Sequence, residues 1–248
     1  MNGYRKLLPE NILNTLALLQ LRIEERFPGA GLGKVCAELH EMARCAKTKA
    51  ARIARPNLWL RALAIIIISF GALALYYVGS IVHFNHNSEN LFGVVQGVEA
   101  FINLLIVTGA AVFFLWSLEA RWKRHRALHD LYELRSLVHV IDMHQLTKDP
   151  SSHAKVSAPT KHSPSHSLSS YELMRYLDYC SEMLSLTAKV GVLYAQGFRD
   201  PIVLGAVGDL GQITTNLTNK IWQKITIIQA SEDWQTGMAE QVAAGEAG

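Results

Sequence analysis

His125, His129 and Glu133 recur at i, i+4 and i+8, so a helix would stack two imidazoles and a carboxylate on one face. Two histidines at that spacing can hold zinc when further ligands arrive from elsewhere in the fold. No HExxH motif accompanies them, since position 126 is Arg. They are candidate metal ligands; a solvated or headgroup-facing surface is the simpler expectation, and no metal or cofactor is assigned. A second set lies in an apolar setting: Gln96, Glu99 and Asn103 share one helical stripe, and Ser69 and Tyr76 share another upstream. Small and polar residues on one stripe mark helix contacts in lipid, so the simpler expectation is that the two stripes pack on each other, with Tyr76 near Asn103 or Glu99. The sharper one is a water-filled path made by several copies, since carboxylate rings line cation channels.

Catalytic motifs are missing. Gly29-Ala30-Gly31-Leu32-Gly33-Lys34 has glycines and a Lys but neither the GxxxxGK[ST] spacing nor a preceding strand pattern. No GxSxG, kinase signature or paired-carboxylate setting is present, so the chain is expected not to be an enzyme. Cys36, Cys45 and Cys180 are odd in number and widely spaced, which fits reduced thiols on helix faces. The formal net charge of +3 brings no interleaved aromatic and basic residues, and nucleic acid is not an expected partner.

What would position these residues is a pair of apolar runs. Ala62 to Val82 and Phe101 to Leu118 carry no charged side chain, and a helix of about 20 residues spans the roughly 30 Å hydrocarbon core of a bilayer. The stretch His83 to Asn90 between them has no Lys or Arg, whereas Arg44, Lys47, Lys49, Arg52, Arg55 and Arg61 precede the first run and Arg121, Lys123, Arg124 and Arg126 follow the second. Basic residues near spans stay on the cytoplasmic side, so both termini are expected in the cytoplasm, with the hairpin in the inner membrane. Trp59, Trp116 and Trp122 fall at the inner boundary, and Tyr76 and Tyr77 near the outer one.

The expected fold class is an all-α membrane protein: a two-helix transmembrane hairpin with cytoplasmic helices before and after it. Residues 1–57 read as N-terminal cytoplasmic helices, broken at Phe27 to Gly31 and stopped before Pro56. Residues 58–120 form the hairpin, with spans at about 60–82 and 97–118. Residues 121–148 continue the second span as a juxtamembrane helix, where Leu131, Leu134, Val138 and Ile141 make a coiled-coil-like seam. Residues 149–168 hold prolines, serines and histidines and read as a flexible linker. Residues 169–232 read as a cytoplasmic helical hairpin. It opens on a Ser169/Glu172 capping box, turns at Asp200-Pro201 and carries Leu210, Leu217 and Ile221 on one face. Residues 233–248, rich in Ala, Gly and Glu, read as a disordered tail.

In layout, two spans joined by a short outer loop and flanked by cytoplasmic helices, residues 30–147 resemble the SLATT-type two-helix membrane effectors of bacterial defence systems. That resemblance implies oligomerisation and membrane permeabilisation triggered by a signal sensed elsewhere. The chain departs from it by carrying its own linker and C-terminal hairpin, and no functional residue is carried over. The expected partners are the lipid bilayer, further copies of the chain and a cytoplasmic protein. Assembly is expected through Leu131, Leu134, Val138, Ile141, Leu210, Leu217 and Ile221, and the alternative is an oligomeric pore with Glu99 and Asn103 near the ion path.

Overall fold

A computed structural model describes residues 6–81, 91–148, 161 and 168–246, the side chains at 78, 79, 81, 91–94 and 235–246 excepted. Its elements are α1 (Pro9–Arg26), α2 (Gly31–Ala54), α3 (Leu58–Ile81), α4 (Leu91–Leu146), α5 (Ser170–Gly197) and α6 (Pro201–Glu246). There is no strand among the described residues. The segment His83 to Asn90, expected as an outer loop, and nearly all of the expected linker, including His153, His162 and His166, lie outside them. Two compact units result: Met1–Ile53 with Ala127–Gly248, and Ala54–Arg126.

The first unit is a helical bundle. In α1, Ile12, Leu16, Leu19 and Ile23 are buried at 4-3-4 spacing, while Leu18 and Leu21 between them are exposed; the buried face is a single stripe, as an amphipathic helix requires. Pro9 sits in the first turn of α1, where its missing N–H costs nothing. Gly29 adopts φ 73° in the turn to α2, a conformation that glycine takes without a Cβ clash. Helix α5 is the bundle's centre, with 14 of its residues buried, from Leu173 to Tyr194. An α5 helix buried on more than one face needs neighbours on several sides, and Gly191 shows two: a Cβ there would come within 2.7 Å of Leu210 and 3.5 Å of Leu131.

Local chemistry sets the ends of the helices. Ser169 accepts from the Glu172 amide while the Glu172 carboxylate accepts from the Ser169 amide, a complete capping box. Asp200 Oδ1 accepts from the amides of Ile202 and Val203 at the start of α6.

Three expectations change. The seam residues Leu131, Leu134, Val138 and Ile141, and Leu210, Leu217 and Ile221 with them, are buried in the core of one chain. They are not a surface left for a second copy. The C-terminal hairpin is likewise not a separate unit: its core continues into α1, α2 and the end of α4, because α5 has more apolar surface than α6 alone can cover. Finally, α6 continues to Glu246 where a disordered tail was expected. The segment Met238-Ala239-Glu240-Gln241 is made of strong helix formers, and a helix already nucleated upstream propagates through them.

The second unit is a pair of helices. Asn57 meets Glu119, and Gly71 meets Thr108, so α3 and the first part of α4 run antiparallel. Both helices are long and apolar enough to cross a membrane, and only 6% of each apolar window is buried.

Candidate functional site

In the helix pair, contact is set by small residues. Gly71 is buried, and a Cβ on it would come within 2.9 Å of Thr108 Oγ1, so the backbone of α3 approaches the Thr108 side chain directly. Such close approach is what small residues give to helices in lipid. Ala64, Ile67, Gly71 and Ala74 are among the more covered residues of α3, and Leu104, Thr108, Ala111 and Leu115 among those of α4. At one end of the pair, the Glu119 carboxylate accepts from the Asn57 amide at 3.0 Å and pairs with Lys123 at 2.8 Å. Arg126 lies over the Trp122 ring at 3.9 Å.

This face is not the one the polar stripes predicted. Ser69, Tyr76, Gln96, Glu99 and Asn103 are all exposed, and Tyr76 keeps 76% of its surface open. The expectation that the stripes pack on each other is therefore corrected. The contact lies on other faces, at Gly71 and Thr108 rather than at Ser69 and Asn103: nearly opposite the predicted stripe on α3 and about 120° round from it on α4. Gly71 and Thr108 were missed because polar side chains were taken as the contact signal; the spacing Ala64, Gly71, Ala74 was the readable one.

In the bundle, one cluster of titratable groups forms a cleft of about 190 Å³ lined by Glu38, Glu41, Cys45, Lys49, Asp130, Glu133 and Tyr194. Its centre is an ion pair, Lys49 Nζ to Asp130 Oδ1 at 2.7 Å. Asp130 is 7% exposed, so its charge needs that partner. The bond to Asp130 raises the Lys49 pKa above its ordinary value. Tyr194 interacts with the same carboxylate, and burial followed by the Asp130 charge pushes its phenol well above the usual range.

Of the three metal candidates, His129 and Glu133 come together, with Asp130 as the third member. His129 Nδ1 lies 3.8 Å from Asp130 and 3.7 Å from Glu133. His125 is not part of this group and is exposed. The ammonium of Lys49 already occupies the charge position a cation would take at Asp130, which makes the set a poor metal site. Lys49 and Asp130 were not legible as a pair: they are 81 positions apart.

Other polar groups of the bundle tie helix ends together. Lys224 donates to the Gln145 backbone and side-chain oxygens, both at 2.8 Å, and to the Lys148 carbonyl at 3.2 Å. It thereby closes the C-terminal carbonyls of α4. His144 Nδ1 lies 3.4 Å from the Tyr176 hydroxyl, and its ring packs on Gly31. The thiols of Cys36 and Cys180 are each pushed up to about 12, chiefly by burial, which keeps them protonated and unreactive. Among the described residues, no buried side-chain polar atom lacks a partner. Compared with protein-family models, curated proteins and solved structures, the chain matches none of them.

Proposed function

We propose that this chain is a non-enzymatic integral membrane protein: α3 and α4 cross the inner membrane as a hairpin, the helical bundle and both termini lie in the cytoplasm, and copies of the chain assemble in the bilayer. One observation carries the reading. The apolar windows of α3 and α4 are only 6% buried, whereas an apolar helix serving as a soluble core would be covered on most sides. Lipid is the medium that leaves no penalty on such a surface. The basic residues on one flank of both windows and none between them support the cytoplasmic orientation. A non-catalytic role is supported by the bundle's buried side-chain polar atoms, none of which lacks a partner among the described residues.

Assembly is supported at a different place from the one the sequence suggested, since the cytoplasmic seams are used within the chain. Asn103 is five positions from Thr108, the residue facing Gly71, and thus about 7 Å from that level along the helix. Gly71 is next to the middle of the run 62–82, so Asn103 falls inside the hydrocarbon. An unpartnered amide there costs several kcal/mol by order of magnitude, and a second copy offers the same amide as donor and acceptor. A second reading rests on the same face: with Glu99 exposed one turn away, several hairpins would line a cation path, as the SLATT-like layout also implies.

The test is extraction and topology. The protein should resist alkaline carbonate, and reporters fused at Asn87 and at the C-terminus should fall in opposite compartments. Carbonate release, or the same compartment for both, overturns the membrane reading. Cation flux through vesicles carrying the purified chain, reduced by Glu99→Gln with assembly intact, would favour the pore.

A further inference from the structure

The helix pair contains a groove of about 240 Å³ between α3 and α4, at the end where both chain segments turn basic. Its walls are Leu60, Ala64, Val112, Leu115 and Trp116, with Arg61 and Glu119 at its mouth. The gap has a local cause: Ala64 presents only a methyl group opposite Val112 and Leu115. Trp116 is 76% exposed beside it, an amphipathic ring of the kind favoured at headgroup level.

The charges at the mouth are lopsided. Arg55, Arg61, Arg121, Lys123, Arg124 and Arg126 face a single carboxylate, Glu119, in the stretches 55–61 and 119–126. Glu119 is already engaged by Lys123 and the Asn57 amide. Arg61 acts on Glu119 through space; its backbone amide donates to the Asn57 carbonyl, but its guanidinium makes no hydrogen bond or ion pair among the described residues. A guanidinium beside an apolar slot is matched by a phosphodiester with hydrocarbon attached: the planar fork takes two phosphate oxygens, and an acyl chain fills the slot.

We infer that this groove holds one anionic phospholipid, its phosphate on Arg61 and an acyl chain against Ala64 and Val112. The inference rests on the membrane reading above. A zwitterionic lipid shares the phosphate but brings a quaternary cation to a mouth already rich in positive charge, so the anionic headgroup is preferred.

The test uses the full chain in phosphatidylcholine vesicles containing a minor fraction of lipid brominated on its acyl chains, either phosphatidylglycerol or phosphatidylcholine. Bromine quenches Trp116 from the groove and, because the ring is exposed, from the surrounding lipid; Trp116→Phe identifies the share of this tryptophan, and the excess for one headgroup over the other reports the groove. The wild type should favour the brominated anionic lipid by about fivefold, the worth of one basic residue near an anionic headgroup. Arg61→Gln should bring the preference close to one, while Arg55→Gln should leave most of it. Ala64→Phe fills the slot with the charge intact and should bring the quenching by the two lipids close to equal, leaving only that from the surrounding bilayer. Equal quenching by the two lipids in the wild type overturns the inference, as does a preference that survives both Arg61→Gln and Ala64→Phe. A chain that carbonate extracts refutes the membrane reading itself; an embedded chain without lipid preference refutes only this site.

Discussion

The two units use the same apolar residues in opposite ways. In the bundle, Leu16, Leu19 and Ile23 are 0% exposed, all on one stripe of a helix whose other faces carry its polar and charged residues, with Leu18 and Leu21 among them. In the helix pair, Phe70 and Phe113 are each 74% exposed and Ile66 62%, on helices that are apolar all round. Hydrophobic burial orders the bundle because water is what its stripes escape. In the bilayer proposed for the pair it cannot do so, since lipid tails are as apolar as leucine and close packing must order the helices. Stability in the bundle should therefore reside in bulk, and in the pair in shape.

The largest contrast follows from that difference. Leu177, at 0% exposure in the first half of α5, should cost the bundle about 2–5 kcal/mol when replaced by Ala, through lost transfer energy and the cavity left behind. Ile66→Ala, on the outside of α3, should shift the same unfolding transition by less than about 0.5 kcal/mol. Urea unfolding of the full chain in bilayer discs, followed by near-ultraviolet dichroism, measures both. Equal losses would mean that the pair is packed as a soluble core, and the contrast would fail.

A smaller effect per step comes from pH, and it should touch the bundle alone. Cys180 has its thiol pushed from 9.0 up to about 12 by burial. The folded state binds its proton more tightly than the unfolded state does. The contribution is complete below pH 9 and is lost as pH rises towards the folded value, with a slope of about 1.4 kcal/mol per pH unit. Lys49, raised by its bond to Asp130, loses its contribution in the same direction at higher pH. Cys180→Ala should remove about half of the thiol-linked fall in bundle stability between pH 9 and 11, the rest staying with Cys36, whose thiol is pushed up equally, with resistance to carbonate extraction unchanged. An identical slope in the variant would show that the thiol is not the group responsible.

How much of this could be read in advance divides by range. Signals that act within a turn were legible: Pro9 opening α1, the Ser169/Glu172 box opening α5, Asp200 with Pro201 opening α6, and the buried spacing of Ile12, Leu16, Leu19 and Ile23. The faces of the late helices were legible too, but not what covers them. Leu131 and Leu210 meet across Gly191 because the tertiary fold brings distant turns together, and no periodicity names the partner of a stripe. The pairs Lys49–Asp130 and Gln145–Lys224 were invisible for the same reason. Within the helix pair the failure was of another kind. Polarity at Ser69 and Asn103 was taken for contact, while contact is decided by the absence of a side chain at Gly71.

That last point gives the smallest effect and the sharpest separation. In lipid, a helix contact depends on how closely two backbones approach, and Gly71 has no Cβ to hold Thr108 away. Gly71→Leu would drive a branched side chain into Thr108, whose Oγ1 and Cγ2 would lie 2.9 and 3.3 Å from the first added carbon. Thr108 is β-branched and stiff at χ1, so it cannot swing clear, and the helices must part at a cost of about 1–3 kcal/mol. Leucine is nonetheless a better helix former than glycine and more lipid-soluble, so insertion should hold or improve. Cysteines introduced as Ala64→Cys and Leu115→Cys should form a disulfide in membranes of the otherwise native chain and much less of it with Gly71→Leu present. The unfolding transition of the bundle should stay within about 0.5 kcal/mol of its original value. Undiminished crosslinking would place the contact on another face, and the packing-by-shape account of the pair would fall with it.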